Sequence, residues 1–234
     1  MNSGRAILLR GKIGTKPRIV KNFLIFGATG AIGRQCVRNL SGLGTIFEAE
    51  KNPALFQEQI SKIDNFDAVI WAQGLNSNDS LSNFKSDSYE KILQANVGYI
   101  LETAHTLLST GKVSFGTNFV VVSSIWSQQS RPNKLTYSIS KAAASAAVRA
   151  MAVELGKAGI QVNAIAPGPI ESPMTRKNLS EDQISVIREQ TPLNRLVTLE
   201  EVANVITKFA TGEMSGITGQ EINIDGGWGV SKLV

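Results

Sequence analysis

The chain has 234 residues, 42% of them hydrophobic and 18% charged, which is enough apolar material for one substantial core without metals or staples and too much for intrinsic disorder. One cysteine, Cys36, excludes an internal disulfide framework and a cysteine zinc cluster, one histidine, His105, argues against Ser–His or multi-histidine metal chemistry, and no apolar run approaches the ~20 residues of a membrane span. The net charge of +5 belongs to residues 1–21, whose six basic side chains and no acid leave −1 on the remainder; this argues against a nucleic-acid-binding face on the body.

Residues 1–21 read as a basic N-terminal extension, solvated or loosely paired, with a transit peptide or a polyanion contact as the alternatives. No secretory signal is visible, so cytoplasmic placement is expected. From 22 to 234 the rhythm is apolar strand, Gly or Ser turn, amphipathic helix. Asn22–Phe26 reads as a buried strand, Gly27–Gly33 as a glycine turn and Arg34–Leu40 as a helix. Thr45–Phe47 is a short strand, Leu55–Ile63 has helical spacing, and Ala68–Ala72 is the next strand. Ser88–Thr110 reads as one long helix, Phe119–Val122 as a β-branched strand and Lys134–Gly156 as an alanine-rich helix. Gln161–Ile165 is a strand running into Pro167–Gly168, Glu200–Ala210 is helical, and Glu221–Ile224 is the last strand. Near-continuous apolar strands alternating with helices predict a single α/β domain, a doubly wound parallel sheet that binds ligands at the carboxyl ends of its strands.

Three groups of residues carry chemistry. Gly27, Ala28, Thr29, Gly30, Ala31, Ile32 and Gly33 lie between a strand and a helix, where glycines let the backbone approach a pyrophosphate and the helix start meets its charge. Tyr137 and Lys141 stand four residues apart on one helix, a spacing that stacks them on one face. A phenol titrates near ~10, and an adjacent ammonium lowers that value enough for proton transfer at neutral pH. Ser123 and Ser124 follow a strand directly, where a hydroxyl can bond a substrate oxygen or simply cap a turn.

In this order and spacing the residues resemble the short-chain dehydrogenase/reductase family, from about Asn22 to Val230. Thirteen positions separate Ser124 from Tyr137, and Asn96 sits in a matching Leu93–Val97 helix segment. Ile160–Ile170 matches the family's strand and Pro-Gly turn, Pro192–Arg195 with Glu200–Ala203 the stretch after the substrate loop, and Ile217–Gly227 the closing strand. The resemblance implies a Rossmann-like fold, an NAD(P)-dependent oxidoreductase interconverting a carbonyl and a secondary alcohol, and no metal. It implies a tetrad of Asn96, Ser124, Tyr137 and Lys141. Tyr137 would exchange the proton, Ser124 would orient the substrate oxygen, Lys141 would bind the cofactor ribose and depress the tyrosine, and Asn96 would hold a water linking Lys141 to solvent. The cofactor residues it implies are Gly27, Thr29, Gly30, Ala31, Ile32, Gly33, Ala72, Gly74, Asn96, Tyr137, Lys141, Pro167, Gly168 and Ile170. A non-catalytic dinucleotide-binding or scaffold protein of the same fold is the alternative.

The chain departs from the family between Gly27 and Gly74, where one βα unit is missing, so six strands are expected rather than seven. This side holds the adenosine, and NAD and NADP both stay open: Lys51 or Asn52 falls near the ribose 2′ position, Lys51 favouring a 2′-phosphate and Glu48 or Glu50 a free hydroxyl. The turn after the third strand reads Trp71–Ala72–Gln73–Gly74, with Trp71 expected in the core. Cys36 and His105 are expected to be structural or surface residues. The small-residue helix around Ala142–Ala147 and the Asn96 helix are the family's usual subunit interface, which implies a homodimer or homotetramer. Glu171–Gln190 is expected to form a mobile lid over the substrate, with Met174 and Leu179 facing it; a plain surface excursion is the alternative.

Overall fold

A computed structural model describes residues 20–231, except for the side chains of Pro173, Met174 and Asn178. Most of the basic extension expected over 1–21 lies outside the described residues; Lys21 is already the first residue of β1 (Lys21–Phe26). The strands that follow are β2 (Gly44–Glu48), β3 (Ala68–Trp71), β4 (Asn118–Val122) and β5 (Gln161–Pro167). Two short strands, β6 (Ile170–Glu171) and β7 (Val197–Thr198), precede β8 (Glu221–Ile224). The main sheet has six parallel strands in the order β2-β1-β3-β4-β5-β8. Six strands are what the shortened segment predicts, with β2 left at the edge.

Alternate side chains of each strand feed opposite faces. Leu24, Phe26, Val69 and Trp71 pack with α2 (Pro53–Ser61), α4 (Tyr99–Ser109) and α5 (Leu135–Leu155). Phe23, Ile25, Ala68 and Ile70 pack with α1 (Ala31–Leu40) and α8 (Leu199–Ala210). With both faces covered, the strands need no polar alternation, which is why they read as unbroken apolar runs. Trp71 is fully buried; it stacks on Phe26 at 5.7 Å between centroids, and its indole N–H donates to Thr103 Oγ1 at 2.9 Å. Cys36 is buried in the α1 core, its thiol pushed up to about 12 by desolvation, and His105 is exposed on α4.

The single helix expected over Ser88–Thr110 is in fact two. α3 (Ser86–Leu93) and α4 are joined by a π turn over Gln94–Gly98 with Asn96 at its centre. Apolar spacing could not show this, because a π turn adds one residue without interrupting the hydrogen-bonded rod. Between β6 and β7 the chain makes α6 (Pro173–Asn178) and α7 (Glu181–Glu189). The parallel β6–β7 ladder pins both ends of this excursion beside the sheet's carboxyl edge. Among the described residues no helix is long and apolar enough to cross a membrane.

Candidate active site

Strand order reverses between β1 and β3, where successive connections leave on opposite faces and a crevice opens. The glycine turn lies at its floor. Gly27 has φ +75°, and a Cβ there would stand 2.6 Å from Gln73 N; a Cβ on Gly33 would collide with the Gly27 carbonyl oxygen. Only glycine therefore lets this turn nest against both the β3 loop and α1. Gly30 is the N-cap of α1 without a side-chain cap, and no acid occupies the first turn, so its free N–H groups are available to an anion.

Two cavities meet over this turn. One, about 500 Å³, is lined by Gly30, Ala31, Ile32, Ala72 and Gly74 below and by Tyr137, Lys141, Pro167, Gly168 and Ile170 above. The other, about 530 Å³, runs past Gly27 and Thr29 toward Glu48, Lys51 and Tyr99. They share Gln73, Gly74 and Leu75. Of the residues expected to touch cofactor, Gly33 and Asn96 alone stand behind the wall, supporting it. Of the four weighed for the ribose end, Glu48 and Lys51 line the cavity, whereas Asn52 caps α2 by accepting from Ala54 N at 2.9 Å. Glu50 lines a separate depression against α2.

The trough fits a nicotinamide dinucleotide on one further observation, which sequence reasoning passed over. Both amide atoms of Gln73, Nε2 and Oε1, are buried without a partner at the junction of the cavities. A buried amide left unpaired is costly, and a ribose or phosphate lying across the junction would satisfy it.

Tyr137, Lys141 and Ser124 come together at the carboxyl end of β4. Lys141 is buried, its Nζ donating to Val122 O at 2.9 Å and lying 5.8 Å from the centroid of the Tyr137 ring. Desolvation pushes its pKa down to about 8, against the opposing charge of Glu221. Burial raises the Tyr137 phenol, and a hydrogen bond with the Ser124 side chain pulls it partly back. Ser124 serves both readings at once: it caps the turn Ile125–Ser127 by accepting from Trp126 N at 3.3 Å, and it meets Tyr137. Lys134 adds a second ammonium 5.4 Å from the Tyr137 ring, held by Asn76 Oδ1, Ser77 O and Asn78 Oδ1.

Asn96 is buried and nearly spent. Its Nδ2 donates to Leu75 O (2.9 Å) and Ser140 Oγ (2.8 Å), and its Oδ1 accepts from Leu75 N (2.7 Å). A water could find only the second lone pair of Oδ1 on this side chain. Gly74 makes the clamp feasible, since a Cβ there would stand 3.1 Å from Asn96 Oδ1 and 3.4 Å from Lys141 Nζ.

Beyond Tyr137 a third cavity of about 690 Å³ opens toward solvent. Trp126 and Trp228 meet edge to face at 5.6 Å on its wall, with the Arg131 guanidinium over Trp126. Leu179, Val186 and Ile187 of the α6–α7 excursion close the far side, so Leu179 faces the site as expected. Met174, its companion in that expectation, lies outside the described side chains.

The family described as enoyl-(acyl carrier protein) reductase matches residues 46–229. A 3-oxoacyl-(acyl carrier protein) reductase of Thermotoga maritima is 31% identical over 171 residues, covering 73% of this chain and 69% of the relative. The reductase of that name from Escherichia coli K12 is 26% identical over 207 residues, 86% and 84% of the two chains. Among solved structures, a short chain dehydrogenase family protein of Francisella tularensis superposes with a TM-score of 0.81 at 21% identity, covering 91% of this chain and 100% of that one. A gluconate 5-dehydrogenase of Burkholderia cenocepacia, in complex with NADP and tartrate, gives 0.78 at 19% identity over 91% and 96%.

Proposed function

The chain belongs to the short-chain dehydrogenase/reductase family and is an NAD(P)-dependent oxidoreductase, and from that premise we propose that it reduces a carbonyl compound to a secondary alcohol, reversibly, with Tyr137 as the proton-transferring group. The observation carrying this reading is the convergence of a phenol, a hydroxyl and a buried ammonium on one wall of the dinucleotide trough. A nicotinamide bound in the trough would supply the hydride. The protein's side chains do the rest.

Ser124 Oγ accepts a backbone N–H, which turns its own proton outward to a substrate oxygen or to Tyr137 Oη. Tyr137, protonated in its buried setting, gives its proton to that oxygen in reduction and recovers one in oxidation. The phenolate left behind is stabilised by the Lys141 and Lys134 ammonium groups. Asn96 holds the β3 loop against α5, and Gln73 offers its free amide to the cofactor's sugar–phosphate portion. Gly27, Thr29, Gly30, Ala31 and Ile32, which line the cavities, would cradle the pyrophosphate side, and Pro167, Gly168 and Ile170 would bound the reactive end. Gly168 can do so because its Cα packs against Asp225, where a Cβ would stand 2.6 Å from Asp225 Cβ.

The substrate of the curated relatives, a 3-oxoacyl group, is the first candidate here. The apolar walls of the third cavity suit an acyl chain. Residues 1–20 are read as an extension of the catalytic domain, which begins at Lys21 in β1, the protein as cytoplasmic, and the assembly as a homodimer or homotetramer through the outer faces of α4 and α5. Those faces expose Leu101 and Val153.

The test is reduction of a 3-oxoacyl thioester, acetoacetyl-coenzyme A, with NADH and NADPH. Tyr137→Phe should abolish turnover while the melting transition and NAD(P)H binding persist. A Tyr137→Phe protein with near-parental turnover refutes the assignment, and saturable cofactor binding without turnover over a broad carbonyl panel favours the scaffold alternative.

A further inference from the structure

Helical spacing puts a third functional group on the face that carries Tyr137 and Lys141. Ser145 is one further turn along α5. Its Oγ donates to Glu221 Oε1 at 2.6 Å and lies 2.9 Å from Ser123 Oγ. Ser127 Oγ approaches the same carboxylate oxygen at 2.7 Å and Ser124 O at 2.7 Å, and Gln128 Nε2 donates to Glu221 Oε2 at 3.0 Å. Glu221, on β8, thus ties α5 to the segment that bears Ser124. Burial opposes its charge, and the hydroxyls of Ser145, Ser127 and Ser123 with the Gln128 amide outweigh that cost and keep it ionised.

Hydroxyls and an amide could all be held by a neutral side chain. What a carboxylate adds is charge. Among the described residues Glu221 forms no ion pair within contact distance. The groups facing it are neutral Ser123, Ser127, Gln128 and Ser145; on the α5 face the charged groups are buried Lys141, one turn before Ser145, and solvent-exposed Arg149, one turn after it. Lys141 in turn is bonded to a neutral carbonyl, with Tyr137 beside it.

We propose that Glu221 is a positioning residue of this reaction, the counter-charge that keeps buried Lys141 protonated and the anchor that fixes the main chain at Ser124. This rests on the roles of Tyr137 and Lys141 given above. Neutralising Glu221 removes a charge that favours the ammonium, so Lys141 loses its proton at lower pH.

The test uses Glu221→Gln, Glu221→Asp and Ser145→Ala, each checked for a cooperative melt. NADH binding by fluorescence and carbonyl reduction are then measured against pH. Glu221→Gln should move the alkaline limit of both downward by about half a pH unit or more, while Glu221→Asp retains the parental limit. Ser145→Ala leaves the carboxylate charged, and should lower kcat with the limit in place. A parental limit in Glu221→Gln, or a Ser145→Ala protein whose limit falls, overturns the inference even where stability drops. Should Glu221→Gln fail to fold, the Ser145→Ala arm still decides. Failure of Tyr137→Phe to lose turnover is a separate result, and sinks the underlying reading instead.

Discussion

Replacing Gln73 by leucine should make the unliganded protein more stable and a poorer binder of cofactor. Leucine has nearly the volume of glutamine but none of its polar atoms. Both amide atoms are buried and unpaired at the junction of the two dinucleotide cavities. An orphaned buried polar group costs about 1–3 kcal/mol, so removing the amide should stabilise the empty protein by an amount in that range. For a chain of this size each kcal/mol moves the melting temperature by about 2–4 °C. The amide's two hydrogen bonds to ribose or phosphate, at about 0.5–1.5 kcal/mol each, are lost at the same time, which weakens NADH binding by about fivefold or more. Calorimetric melting without cofactor and titration of NADH against intrinsic fluorescence read the two effects separately. A variant that melts lower than the parent, or one that binds NADH with parental affinity, refutes the argument that this amide is held ready for a ligand.

Lys141 gives the pH dependence. Its folded pKa of about 8 lies below the free value of 10.5 because burial disfavours its charge. As pH rises through about 8 the folded protein loses the ammonium while the unfolded chain keeps it. NADH affinity should therefore decline above pH 8, and the stability of the empty protein should rise between 8 and 10.5; an affinity flat across that window counts against a role for the ammonium. Sedimentation should find a dimer or tetramer, and a monomer at micromolar concentration removes the proposed α4–α5 assembly.

Much of this architecture was legible because its cause is local. Strands covered on both faces need no polar positions, so Phe23–Phe26, Ala68–Trp71 and Phe119–Val122 announce themselves as apolar runs. The lost βα unit showed as a shortage of residues between Gly27 and Gly74. The pair Tyr137 and Lys141 was visible through helical spacing alone. Other parts depend on contacts far along the chain. Glu221 meets Ser145 and Ser127 across 76 and 94 positions, and nothing in Glu221–Ile224 beyond the strand pattern marks the first residue as an acid facing inward. Gln73 carries no signal in the β3 turn, because its significance lies in an amide buried without a partner, which the packing of distant segments decides. Lys134 was read as the start of a helix, and its lodging among Asn76, Ser77 and Asn78 is a tertiary accident of loop packing.

The π turn over Gln94–Gly98 carries a consequence for how this protein tolerates change in length. One surplus residue there offsets the sequence register of α4 from that of α3 by about 100°. With that offset Ile92, Asn96, Ile100 and Ala104 all point inward. Deleting a single residue from the turn would close the rod into ordinary α geometry with α3 and α4 still in phase, because the surplus residue is what the π turn absorbs; what would be lost is the bulge that holds Asn96 against Leu75. A one-residue excision at the turn therefore acts on the Asn96 clamp and leaves the core faces aligned, whereas the same excision inside regular α4 would turn every inward residue beyond it by about 100°.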